Sequence, residues 1–155
     1  MREQRRGRKI AMAREERDAF LAAARTCRVA TISSDGSPHV TPLWFAWDGT
    51  SLWLTSIVRS QRWTDLQRDD RVSVVVDGGG DFMELHGVEL RGRAVPVGEV
   101  PRTGEPVPEL EVPERLYADK YAGGRVYHDG RHAWLRITPD KIVSWDFRKM
   151  GNDSR

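Results

Sequence analysis

The chain has 155 residues, 39% hydrophobic and 31% charged, with a mean hydropathy of −0.59, a size that fits one domain with one core. No apolar run approaches the roughly 18 residues needed to span a bilayer. The formal net charge of +2 conceals an asymmetry: Arg2, Arg5, Arg6, Arg8 and Lys9 face only Glu3 in the first nine residues, so the rest is mildly acidic, unlike a general nucleic-acid binder, whose basic residues spread over the folded face.

Residues 1–12 read as a disordered basic arm, 13–148 as a single domain and 149–155 as a tail. Arg14, Glu15, Glu16 and Arg17 interrupt any apolar stretch that could serve as a signal peptide, and the lone Cys27 rules out an internal disulfide. A cytoplasmic protein is expected. Ala13 to Thr26 spaces Phe20, Leu21 and Ala24 as a covering helix. Three strand-like runs follow, Arg28 to Ser33, Pro38 to Trp47 and Ser51 to Thr55, joined by Asp35-Gly36 and Asp48-Gly49, pairs that suit tight antiparallel hairpins. A short helix from Ser60 to Arg68 turns Trp63 and Leu66 inward and Asp65, Gln67 and Arg68 to water. Arg71 to Asp77 is a fourth run, and Val88 to Ala94 alternates Val88, Leu90, Gly92 and Ala94 inward against Glu89, Arg91 and Arg93. Val97 to Glu114, rich in proline and glutamate, reads as an extended surface loop, either a connector or a flap over a ligand. A helix near Arg115 to Tyr121 comes next, then a hairpin of Arg131 to Thr138 and Lys141 to Phe147 about Pro139-Asp140. The sum is a mainly β fold, a six- to seven-stranded antiparallel split barrel with short flanking helices.

Two features suggest a site. The second run is apolar on both faces, Leu43, Phe45 and Trp47 on one and Val40, Pro42, Trp44 and Ala46 on the other, so one face can fill a barrel while the other must meet a ligand or a second subunit. Arg59, Ser60, Gln61 and Arg62 then bring two guanidiniums and a hydroxyl to a helix start, next to Thr55 and Ser56 at a strand end. Such a place favours an anion, and a phosphate is the expected one. Neither G-x-G-x-x-G after a strand nor a P-loop is present, and Ser33, Ser34 and Ser37 lack the G-x-S-x-G context of a hydrolase. His128 and His132 are four apart, but Asp129-Gly130 between them indicates a turn rather than a zinc-binding helix. Cys27 reads as structural, with no acid–base partner near it in sequence.

The segment Val29-Ala-Thr-Ile-Ser-Ser-Asp-Gly-Ser-Pro-His-Val-Thr-Pro-Leu-Trp-Phe45, with Asp48-Gly49, Leu52-Trp-Leu-Thr-Ser56, Arg62-x-x-x-Leu66-x-Arg68-Asp-x-Arg71-Val72, Ile137-Thr-Pro139 and Ser144-Trp-Asp-Phe147, resembles the pyridoxamine 5'-phosphate oxidase-like split-barrel flavoproteins. Within them it is most similar to the actinobacterial branch that uses the deazaflavin coenzyme F420. The resemblance implies a homodimer with two cofactors in grooves between subunits, F420 or alternatively FMN. It implies that Leu43, Trp44 and Phe45 line the ring system, that Thr55, Ser56, Ile57, Val58 and Arg59 contact ring and ribityl chain, and that Arg62 holds the phosphate. Tyr121 and Arg125 would reach the partner's cofactor tail. The implied reaction is hydride transfer to a flat conjugated small molecule, with no universal catalytic side chain and no metal. Two rival readings remain: a flavin- or heme-binding module without turnover, and a nucleic-acid binder that combines barrel and basic arm, which would need exposed stacking aromatics beside a basic groove.

Overall fold

Both Asp-Gly pairs make the turns expected of them. Gly36 and Gly49 take φ of 84° and 92°, the left-handed region that glycine enters without steric penalty, and Asp48 Oδ1 accepts from the backbone N–H groups of Thr50 and Ser51 at 2.8 and 2.6 Å. The computed structural model describes residues 1–152. Helix α1 (Arg14–Ala23) precedes strands β1 (Cys27–Ile32), β2 (Pro38–Leu43), β3 (Phe45–Trp47) and β4 (Leu52–Ile57). Helix α2 (Gln61–Arg68), strands β5 (Arg71–Gly78) and β6 (His86–Val97), helix α3 (Glu111–Tyr121) and strand β7 (His132–Asp146) complete it. One antiparallel sheet runs β2-β1-β5-β6-β7-β4-β3. It curls into a split half-barrel.

The long second run is not one strand. It breaks at Trp44, because Pro38–Leu43 pairs with β1 at one rim of the sheet while Phe45–Trp47 pairs with β4 at the other. A single residue thus carries the chain from rim to rim, and the doubly apolar pattern reflects two different strands. The expected C-terminal hairpin is likewise corrected. Pro139-Asp140 does not turn the chain but lies within a continuous β7, where a register shift opposite Arg91/Gly92 leaves Asp140 as the extra residue of a bulge. The carbonyl of Asp140, out of the ladder, accepts from Arg2 N–H at 2.8 Å.

That bond ties the arm to the sheet. Gln4 exchanges hydrogen bonds with the Ser144 backbone, its Nε2 donating at 3.0 Å and its Oε1 accepting at 3.0 Å, and Met12 N–H donates to Ser144 Oγ. Charge suggested a free tail, yet the arm satisfies the outer groups of β7. The Pro/Glu-rich stretch is also more than a surface loop. Arg102 is buried beneath it, pairing with Glu99 and with Glu114 Oε1 (Nη2 at 2.7 Å), while Leu110 is fully buried. Arg102→Ala would remove the charge shared by Glu99 and Glu114, which keep Thr103 and His128 as partners, so a loss of about 1–2 kcal/mol is expected, read as a lower urea midpoint at unchanged slope.

Two apolar cores result. The inner face packs Leu21, Val29, Phe45, Leu54, Val74, Leu90 and Leu135 inside the curl. A smaller outer core of Ala46, Trp53, Val97, Leu110 and Trp134 lies under Leu116 and Tyr117 of α3. Helix α2 begins with Ser60 as N-cap, its side chain accepting from Trp63 N–H. It buries Trp63 and Leu66 as expected, and also Asp65, which was expected to face water and is wholly enclosed. Asp65 accepts from Thr31 Oγ1, Gln61 Nε2 and Arg68 Nη2 at 3.3, 2.8 and 3.2 Å, so the carboxylate docks the helix on β1.

Candidate cofactor site

Arg62 is the second residue of α2, and its side chain runs back toward the seam between the two rims of the sheet. It is 8% exposed. Nη1 donates to Thr41 Oγ1 on β2 at 2.7 Å, and Nε donates to Ser56 Oγ on β4 at 3.3 Å. Nη2 has no hydrogen-bond acceptor, and no carboxylate pairs with the guanidinium, among the described residues. Burial pushes its pKa down from the ordinary value, yet a guanidinium stays charged at neutral pH. An enclosed cation with spare N–H donors and no counter-charge is an incomplete ion pair. A phosphate or carboxylate group would complete it, so the residues present fit the anionic tail of a nucleotide-like cofactor.

The other expected site residues divide between the two faces of the sheet. Ser56 faces inward with Arg62, and Leu43, half-buried, packs against the same inner core. Ser60 Oγ caps the helix by accepting from Trp63 N–H and lies 3.4 Å from Ser56 Oγ, and Gln61 Nε2 donates to Asp65 at 2.8 Å. Arg59 is exposed and Val58 half-buried. Thr55 and Ile57 alternate to the outer face, across the ladder from Trp134 and His132.

Phe45 does not line a groove. It is fully buried, with Lys120 Nζ 4.1 Å from its ring centroid, because β3 must fill the barrel where it joins β4. Its neighbour Trp44 is 48% exposed and stacks on Tyr121 at 4.4 Å with ring planes 2° apart. Tyr121 in turn is held in place: its hydroxyl accepts from Phe45 N–H at 3.1 Å and donates to the Arg25 carbonyl at 2.7 Å, and burial pushes its pKa up to about 12. Tyr121 therefore braces Trp44. Arg125 is exposed beyond α3, beside a cavity that also includes Thr55. Cys27 is fully buried, and burial raises its thiol to about 12, which leaves it protonated and unreactive.

Sequence reasoning missed Thr41, the partner of Arg62 on the opposite rim, because nothing local marks a contact made 21 residues away. It also missed the aromatic wall of Tyr117 and Trp134, 5.5 Å apart edge to face. The tyrosines at 117 and 121, four apart on a helix, were the available signal.

The profile of the family described as pyridoxamine 5'-phosphate oxidase matches residues 13–146. The chain belongs to that family. Among solved structures it is similar to the conserved hypothetical protein Rv2991 from Mycobacterium tuberculosis, with 31% identity over 97% of this chain and 93% of the other and a TM-score of 0.79. It shares its fold with an F420 reductase, 22% identical over 81% of this chain and 94% of the other at a TM-score of 0.58. An FAD-binding protein from Mesorhizobium loti is 21% identical over 86% and 93%, at a TM-score of 0.67. No curated protein matches the chain. As a pyridoxamine 5'-phosphate oxidase family member, the chain carries a fold whose neighbours include an FAD-binding protein and an F420 reductase. Among the described residues no helix is long and apolar enough to cross a membrane.

Proposed function

We propose that the protein is an oxidoreductase that binds coenzyme F420 and reduces a flat conjugated small molecule, acting as a cytoplasmic homodimer with the cofactor at the seam between subunits. The observation that carries this reading is the buried Arg62 guanidinium, which lacks a counter-charge. It binds the cofactor phosphate by charge-assisted hydrogen bonds, oriented from both sides by Thr41 and Ser56. When bound, F420 supplies the hydride. Leu43 and Trp44 bound the ring and exclude water, and their neighbours Val40, 64% exposed, and Pro42 offer an apolar strip of β2 to the second subunit. The F420 reductase among the fold neighbours supports the choice of cofactor, and the FAD-binding one keeps FMN as the alternative.

Titration of the purified protein with F420, FMN and heme, followed by tryptophan fluorescence and cofactor absorbance, tests the reading. F420 is expected to bind at least tenfold more tightly than FMN, and its reduced complex to be reoxidised by a conjugated acceptor. Tight heme binding with no response to F420 would replace the enzyme with a carrier of the same fold.

A further inference from the structure

Behind Thr55, on the outer face of the sheet, lies a cavity of about 180 Å³ between the C-terminal half of α3, the segment that follows it and the start of β7. Its size is telling. A cavity of about 150 Å³ holds one benzene ring, whereas drug-sized or polycyclic ligands need roughly 300 Å³ or more. Its lining is aromatic and polar together. Tyr117 and Trp134 meet edge to face, and Arg125 stands on the rim with no carboxylate partner among the described residues.

Two imidazoles line the same space, and their bonding differs. His128 Nε2 bonds Glu114 Oε2 at 2.7 Å, and that carboxylate's other oxygen is held by buried Arg102. Gly104 covers the ring at its other nitrogen, where even a methyl group would lie 3.0 Å from Nδ1. His128 is therefore wall. His132 is held instead by Asp129, whose Oδ2 lies 2.5 Å from Nδ1 while its Oδ1 accepts from the N–H groups of Arg131 and His132. A carboxylate on Nδ1 fixes the tautomer with the proton there. Nε2 is left as an acceptor with no hydrogen bond among the described residues. The cavity thus offers a flat apolar wall, one oriented nitrogen acceptor and one unpaired guanidinium.

We propose that this cavity binds a single-ring conjugated ketone or carboxylate that carries a hydroxyl, the hydroxyl donating to His132 Nε2 and the carbonyl or carboxylate oxygen accepting from Arg125. Thr55 and Trp134 place it on the outer face of β4, the opposite face of that strand from Ser56, so it is a second site, separate from the Arg62 seat. Asp129 acts as a positioning residue, since it touches the ligand only through the ring it orients.

The test uses the full chain without cofactor and the probe 4-hydroxyacetophenone, with acetophenone as the probe lacking the hydroxyl. The four histidines give a side-chain ¹⁵N spectrum simple enough to follow each imidazole. 4-Hydroxyacetophenone is expected to shift His132 Nε2 saturably and to bind several-fold more tightly than acetophenone, because the ligand without the hydroxyl leaves the half-buried Nε2 acceptor unpaired. In His132→Gln that preference should fall several-fold, and Asp129→Asn should weaken the first probe alone. Absence of a saturable shift, equal affinity for the two probes, or a preference unchanged in His132→Gln would each overturn the proposal. F420 binding without probe binding removes the pocket and leaves the proposed function. Probe binding without F420 binding leaves this ring-binding site and removes the proposed cofactor.

Discussion

Replacing Arg62 with methionine is expected to weaken F420 binding by roughly tenfold to a hundredfold while leaving the free protein as stable as before, or more so. The two halves of that result have one cause. Hydrogen bonds to a charged group contribute roughly 1.5–3 kcal/mol each, and every 1.4 kcal/mol is a factor of about ten in affinity. In the free protein the same guanidinium has surrendered its water for two neutral hydroxyls, on Thr41 and Ser56, and a hydrocarbon side chain of similar volume is often equal or better in such a place. Calorimetric titration measures the first half and a thermal melt without ligand the second. Affinity retained in Arg62→Met would mean that the guanidinium is a clasp between rims and that the phosphate is held elsewhere. A lowered melting temperature with affinity unchanged would assign it to that clasp alone.

Asp65→Ala should be the more damaging substitution for the fold, with a loss of about 2 kcal/mol expected from losing the hydrogen bonds to a charged group that dock the helix and from leaving the buried Thr31 hydroxyl unpaired. The carboxylate is fully enclosed, but Gln61 and Arg68, which close it off, are themselves exposed. The lid is thin, and the figure is accordingly smaller than for a deeply buried pair. Burial by itself would raise the Asp65 pKa, but the hydrogen bonds from Gln61, Arg68 and Thr31 outweigh it and hold the carboxyl below its ordinary value of 3.8. A carboxyl whose folded pKa is depressed contributes its stability above the unfolded value, and loses it as pH falls through the folded one. Urea midpoints between pH 6 and pH 2.5 should therefore fall less steeply in Asp65→Asn than in the wild type below about pH 3.8. Parallel acid limbs would show that other carboxylates govern the loss. Because Asp65 docks the helix that carries Arg62, Asp65→Ala should also loosen F420 binding, measured by the same titration.

Strands that alternate cleanly were legible from the chain. Val72, Val74 and Val76 and then Val88, Leu90 and Ala94 fall on the inner face as read, since side-chain direction along a strand is fixed by its period of two. The Asp-Gly turns were legible because their conformation is a local property of two residues. What escaped depends on partners distant in sequence. The break at Trp44 comes from pairing with β1 before it and β4 after it, and composition around Trp44 gives no sign of a change of neighbour. Pro139-Asp140 carries turn residues yet forms a bulge, because twelve residues of β6 pair along β7 and carry it through. Asp65 looked solvated because charge usually is, and only the tertiary position of α2 encloses it. At the site, the resemblance singled out Arg62 as a phosphate anchor, whereas its burial between Thr41 and Ser56 depends on strands distant in sequence. The spread of Thr55 and Ser56 to opposite faces follows from strand alternation, and the residue list drawn from similarity overrode it.

The crossing at Trp44 bears on how the two open margins of the sheet behave. Strands β2 and β3 end and begin one residue apart, so holding their margins near each other takes almost no loop-closure entropy, yet the described ladders do not join them directly. Side chains span the gap in place of a ladder: Arg62 between Thr41 and Ser56, and Trp44 laid flat on Tyr121. A margin tethered so tightly and zipped so lightly can widen by a side-chain rearrangement without unpairing a single strand, and a guest molecule entering there would displace contacts between residues rather than rungs of the backbone.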